Sequence, residues 1–471
     1  MDSTNPEPSA ADPAAEPRHD PLAALWSPAT VRARCAAIRH AVDDGRSPWF
    51  TLDRERLPEL AEQVTESLRA GIPQPVTAVG DADSAAELHE RLAGHDPRAR
   101  ARACIDLTVV CALLDTEAAS AWAFDERGRR PTATLALPAH RQRRDDLLAM
   151  LDRASGTAAP SADAAPDPAT ATPPTAPAAA DAGPPPRAVG SAALAAAMRR
   201  AFLDGAFSSD PADALRVDAR ALMQLDSAAL RALLPGASGP ALLAFDARAE
   251  MLRRLGGLLG AATGREGPPA RPAGELERWL AHGGEVDAVE LLQPLVSRWS
   301  AAWFDGGRAL GLPVGDVWPH RWAGAATSPG AATPGGRATA GWVPLHLPGQ
   351  RLVHALAEPM RQAGLPVRGL DALTARADIA LCRLLLDAGV VRLRDPRDLS
   401  RLWKPADERT VELRALAVAL VDELVQPVRD RLGRDMPLPS RDAVQRACSH
   451  VAARAATTVS APRFEGHGTL L

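Results

Sequence analysis

Apolar residues recur at three- and four-residue steps through most of the chain, the spacing that gathers them on one face of a helix. Leu107, Val110, Cys111, Leu114 and Ala118 follow this step. So do Leu194, Met198 and Phe202 before a glycine stop at Gly205, and Met251, Leu252, Leu255, Leu258 and Leu259 before Gly260. The longest run, Leu413, Leu416, Ala417, Leu420, Val421, Leu424, Val425, Val428 and Leu432, predicts a helix of about five turns with one apolar stripe. Strand signals are confined to Trp49–Leu52 and Val390–Leu393. The expected fold class is all-α, or nearly all-α with a few short strands: a helical globular protein with long linkers.

Two stretches are too rich in Ala, Pro, Gly, Ser and Thr to bury a core: about Ala154 to Pro186, and about Ala323 to Ala340. The expected organisation is a disordered tail over 1–20, an N-terminal helical segment over 21–153 and an Ala/Pro-rich linker over 154–188. A main helical domain over 189–471 follows, carrying a flexible insertion at about 323–340. Neither linker need mark a domain boundary, because a surface loop lengthens at modest entropic cost.

Composition narrows the partners. A chain of 471 residues is long enough for a core without staples. A formal charge of -4 with a pI near 6.3 supplies no basic field, so nucleic acid and anionic membrane are not expected partners. The N-terminus is acidic and proline-bearing where a secretory signal needs a basic start, and charged residues break every apolar run before membrane-span length. The cytoplasm is the expected compartment. Cys35, Cys104, Cys111, Cys382 and Cys448 show neither C-x-x-C nor zinc-like spacing and read as core thiols. No disulfide is expected.

Locally recognisable catalytic signatures are absent: there is no G-x-x-x-x-G-K-[ST] loop, no G-x-G-x-x-G turn and no G-x-S-x-G elbow. His320, His346 and His354 fall in the most aromatic region, but their spacing suits no helix-borne zinc pair, so neither metal nor cofactor is expected. His354 reads as a partly buried neighbour of Leu352, Val353, Leu356 and Met360. Trp299, Trp303, Trp318, Trp322 and Trp342 crowd one stretch of a chain without tyrosine. Burial as core or cleft wall is their commoner use, and stacking on a base stays open.

Several phrases, in order, resemble one family. They are SPATVRARC with Ser27, Pro28, Val31, Arg32 and Cys35; Phe50, Thr51 and Asp53; and ARACIDLTVVCALLD with Asp106, Leu114 and Asp115, followed by Trp122. GAFSSDP (Gly205 to Pro211) is the most specific, followed by GDVW with Gly315, Asp316 and Trp318, then VPLH with His346, then Gln350 and the Glu358-Pro359 pair. GLDALT with Asp371, LDAGVVRLRD, and ELRALAVALVD with Glu412, Arg414 and Asp422 complete the set. Together they resemble the family known as domain of unknown function 1688, which includes a uracil-catabolism protein of fungi. Departures fall in polar blocks. A block of the type RWRHF-x-x-GG is not recognisable over 76–88, Leu347 to Arg351 replaces KLSQW, Asp378 to Arg383 replaces EYRNGG, and EGGTWAAG is missing near 441–450.

The resemblance implies a place in pyrimidine (uracil) catabolism, where the ring is opened while still attached to ribose and a ribosyl urea remains to be split. LTARAD, with Leu373, Thr374, Ala377 and Asp378, is similar to a block of the queuosine-nucleotide N-glycosylases, which are helical. Loss of a nitrogen leaving group from C1 of ribose builds positive charge that a carboxylate stabilises while it orients water. Asp378 is the first catalytic candidate; Asp371, on a similar side if the segment is helical, is the second. Glu358 and Asp316 are candidates for sugar hydroxyls or the leaving group, and His346, Gln350 and Trp318 for further substrate contacts.

Competing structural uses are equally definite. Asp371 suits a cap on a helix from Leu373, Glu358 a solvated helix-end charge, and Ser208, Ser209 and Asp210 an N-cap before a helix from Pro211. Three function classes follow. The first is metal-independent hydrolysis of a small ribosyl or pyrimidine-derived substrate. The second is a non-catalytic helical binding protein or an inactive diverged paralogue, which the lost polar blocks favour. The third, a metal-dependent amidohydrolase, requires His320, His346 and an acid to meet in space. Oligomeric state is left open.

Overall fold

A computed structural model describes residues 20–72, 77–80, 85–115, 123–124, 188–235, 244–262, 270–303, 306–324, 337–433, 436–454 and 462–465. Ala118, Trp122, the linker over 154–187 and residues 325–336 of the expected insertion lie outside them. The helices are α1 (Pro28–Asp43), α2 (Leu57–Arg69), α3 (Ala86–Leu92), α4 (Pro97–Leu114), α5 (Ser191–Leu203), α6 (Ala219–Gln224) and α7 (Ser227–Leu233). They continue as α8 (Phe245–Ala262), α9 (Glu277–His282), α10 (Ala288–Arg298), α11 (Leu347–Gln362), α12 (Ile379–Asp387), α13 (Glu408–Leu432) and α14 (Arg441–Arg454). Strands among the described residues form two-stranded pairs only, so the architecture is nearly all-α.

α13 is the axis of the fold. Its apolar positions divide into two sets: Val411, Ala415 and Val418 join a core with α4, α5, α8, α10 and α11, while Leu413, Leu416, Ala417, Leu420, Leu424 and Val428 join a second core with α2, α12 and α14. A single stripe is therefore too narrow a description. Residues 410–421 are buried on every side, because Glu412 and Arg414 both find polar partners inside.

Elements distant in sequence meet across this axis. α1 packs on α13, and α4 on α11. The two sequence-predicted strands, Phe50–Leu52 and Val391–Leu393, pair with each other antiparallel, with Phe50 opposite Leu393. Val317–Pro319 and Trp342–Pro344 form a second antiparallel pair that frames the central region.

Three local expectations change. α4 starts at Pro97, well before the periodic stripe, because Asp96 accepts from the backbone N–H groups of Arg98 and Ala99 at 2.9 and 3.0 Å. α8 runs on through Gly260 to Ala262, and its Gly256 serves close packing, since a Cβ there would lie 2.7 Å from the Ala219 carbonyl oxygen on α6. No helix starts at Pro211. The Ser208 hydroxyl lies 3.0 and 2.7 Å from the Asp210 and Asp213 carbonyl oxygens, which folds 208–213 into turns. The cap appears later, where Asp218 accepts from Ala221 N–H and opens α6. The five cysteines are buried free thiols.

Candidate functional site

Asp316 occupies the joint between the strands Leu312–Gly315 and Val317–Pro319 and is fully enclosed. Arg414, projecting from α13, meets it in a bidentate pair with both N···O distances at 2.7 Å. Two further donors complete the carboxylate, the Trp318 indole N–H at 2.7 Å and the Leu347 backbone N–H at 2.9 Å. Leu347 is the first residue of α11, so Asp316 satisfies an N–H that the helix itself leaves unpaired, at the end where the helix dipole favours an anion. Burial pushes the Asp316 carboxyl up, but the charge and hydrogen bonds of Arg414, with those of Trp318 and Leu347, outweigh it and hold the group below the usual carboxylate range. Arg414 also donates from Nε to the Ala377 carbonyl at 3.0 Å, tying this hub to the turn before α12.

His346 precedes α11 in the left-handed region, with φ 51° and ψ 32°. A non-glycine residue held there carries on the order of 1–3 kcal/mol of strain. Surrounding bonds hold it: its own N–H and that of Leu345 both reach the Asp316 carbonyl, and its ring Nε2 lies 2.7 Å from the Leu25 carbonyl. A carbonyl only accepts, so Nε2 carries the proton and Nδ1 the lone pair. Burial pushes the imidazole pKa down, against the Leu25 bond and the charge of Asp316, so the ring is neutral at physiological pH.

A crevice opens against these groups, lined by Val296, Trp303, Gly315, Asp316, His346 and Gly349 among others. It is narrow, with room for about one water. Gly349 sets the approach of α11 to α10, because a Cβ there would lie 2.4 Å from Val296 Cγ1.

The remaining candidates divide between the surroundings of this hub and the surface. Trp318 is buried on Asp316, and Gln350 donates to the Leu345 carbonyl and the Thr374 hydroxyl at 3.0 and 2.8 Å. Asp378 is 8% exposed and caps α12, accepting from Leu381 N–H at 2.9 Å and from Gln445 Nε2 at 3.3 Å. Asp371 lies on the surface, accepts from Arg441 N–H at 2.8 Å, and is 3.5 Å from an Arg429 nitrogen. Neither aspartate lines the crevice. The segment between them is not helical: a 3-10 turn over Leu370–Ala372 gives way to irregular backbone up to Asp378, so the shared helical side does not arise and no helix starts at Leu373. Glu358 is bound on the surface by Arg361 and Gln362.

The histidines do not converge. His320 Nε2 lies 3.2 Å from Glu412, which also receives the Ser47 hydroxyl, whereas His346 belongs to the crevice. His354 sits beside Asp442 at 3.6 Å. Among the described residues no three His, Cys, Asp or Glu side chains gather as a metal site. Of the tryptophans, Trp299, Trp303 and Trp318 are buried, and Trp322 carries the Arg46 guanidinium 4.7 Å above its ring.

Sequence reasoning missed the part played by Arg414 and Glu412. The available signal was two charges inside the longest apolar run of the sequence, which a core accepts only when each is paired.

Fold and hub define a helical protein organised about a buried ion pair. The chain belongs to the family described as protein of unknown function (DUF1688), whose model matches residues 24–137 and 187–463. It is 29% identical over 247 residues to Protein urg3 of Schizosaccharomyces pombe, a match covering 52% of this chain and 57% of that protein.

Proposed function

We propose that this protein acts in pyrimidine (uracil) breakdown and hydrolyses, without a metal, a ribosyl–nitrogen bond such as that of ribosylurea. Family membership and the fungal relative support the pathway. One observation supports the chemistry: a neutral imidazole and an ionised carboxylate share a water-sized crevice whose other lining residues carry no charge. Hydrolysis needs a water and a group to take its proton, and an imidazole beside a water-sized space supports that reading. In this reading Asp316, already neutralised by Arg414, orients its neighbours rather than carrying charge to the sugar. Asp378 and Asp371 shape the turn that Arg414 holds through the Ala377 carbonyl.

Purified protein incubated with ribosylurea and with its 5′-phosphate should release urea and ribose above a protein-free control. Equal traces would end the hydrolase reading. The second reading, a non-catalytic binding protein, is favoured by the cap and surface duties of Asp378 and Asp371. It predicts a rise in melting temperature with ribosylurea and no urea released.

A further inference from the structure

We infer that His346 is the general base of this site, its Nδ1 accepting a proton from a water held in the crevice between α10 and α11. The assignment rests on the hydrolase reading above and replaces a carboxylate base with an imidazole. Geometry carries it. The Leu25 carbonyl takes the Nε2 proton at 2.7 Å, which leaves the lone pair on Nδ1, and no other group among the described residues hydrogen-bonds the ring. His346 is one of the residues that line the crevice. Trp303, 4% exposed, lines the same crevice, and its indole N–H has no hydrogen-bond partner among the described residues. A donor left unpaired in a core is destabilising, and a water in the crevice is a partner that would remove that cost. The left-handed backbone of His346 adds strain at the same residue, as positions fixed for a task often do.

Asp316 differs from a second base in being fully engaged. Its two oxygens take four donors, so no lone pair remains well placed for water. The charged groups about the ring are Asp316, on the strand joint, and its partner Arg414 on α13. Val296 and Trp303, which also line the crevice, are neutral, as are Leu25 and Trp26, whose ring lies 5.8 Å from the imidazole. In the step, the water oxygen bonds to the anomeric carbon as the bond to the urea nitrogen breaks. The water proton passes to Nδ1 and then to the departing nitrogen, leaving ribose and urea with the imidazole neutral again.

Two substitutions separate base from scaffold. His346→Gln keeps a donor for the Leu25 carbonyl and removes the base. His346→Asn keeps an acceptor near the Nδ1 position, and asparagine tolerates the left-handed backbone. With folding checked by near-ultraviolet circular dichroism, both should lose kcat by about 10²–10⁴-fold with KM within about twofold, and kcat/KM should lose its acid limb. Trp303→Phe should lower kcat by about tenfold or less, the worth of one hydrogen bond. If the wild type releases urea and both His346 variants keep its kcat, the base assignment falls while the hydrolase reading stands. If the wild type releases none, both fall.

Discussion

Replacing Arg414 with methionine tests the hub directly. The substitution keeps an unbranched stem of similar length and removes the cation paired with Asp316. Asp316 retains Trp318 and Leu347 as donors but becomes a buried charge without a counter-ion. Breaking one side of such a pair costs about 3–5 kcal/mol, most of it the penalty of the stranded charge. Urea denaturation followed by tryptophan fluorescence reads this as a lower midpoint at unchanged slope. The double variant Asp316→Asn with Arg414→Met strands no charge and should be more stable than the Arg414→Met single, so the cycle should show coupling of about 1–3 kcal/mol.

The pH dependence of the same pair has a definite sign. In the wild type the folded carboxyl lies below its unfolded value, so its contribution is present above about pH 4 and is lost as pH falls through the folded pKa. Without Arg414 burial dominates and lifts the folded value above the unfolded one, so the contribution reverses and stability is lost as pH rises. The gap between wild type and variant should therefore narrow in acid. A cost below about 1 kcal/mol at pH 7, or two additive single substitutions, would refute the hub.

Packing and burial elsewhere fix three further outcomes. Gly349→Ala should destabilise by about 1–3 kcal/mol, since its Cβ would overlap the stiff Val296 side chain; an unchanged denaturation midpoint would contradict the close approach of α10 and α11. His354 has its pKa lowered to about 4 by burial and by nearby Arg376, with Asp442 opposing, so folding should weaken as pH falls from about 6.5 toward 4 while the unfolded chain takes the proton. His354→Gln should flatten that part of the stability curve, and an unaltered slope there would refute the assignment. Burial pushes Cys35, Cys104, Cys111 and Cys448 above the usual thiol range, so a disulfide reagent should label none of them in native protein and all of them in denaturant. Rapid native labelling would contradict their enclosure.

Periodicity and composition by themselves determined the helical class, the long helix from Glu408, the glycine stop at Gly205 and the two short strands, because these follow from local side-chain spacing. Family membership was legible in short phrases spread along the chain. The site was not. Asp371 and Asp378 lie close in sequence yet serve separate surface and capping duties, while Asp316 and Arg414, far apart in sequence, share two hydrogen bonds. Only tertiary structure decided that the charges inside α13 face buried partners, that the two predicted strands pair with each other, and that His346 lines a crevice beside Asp316. Spacing records which face of an element a residue occupies; what stands opposite that face depends on packing between elements distant in the chain.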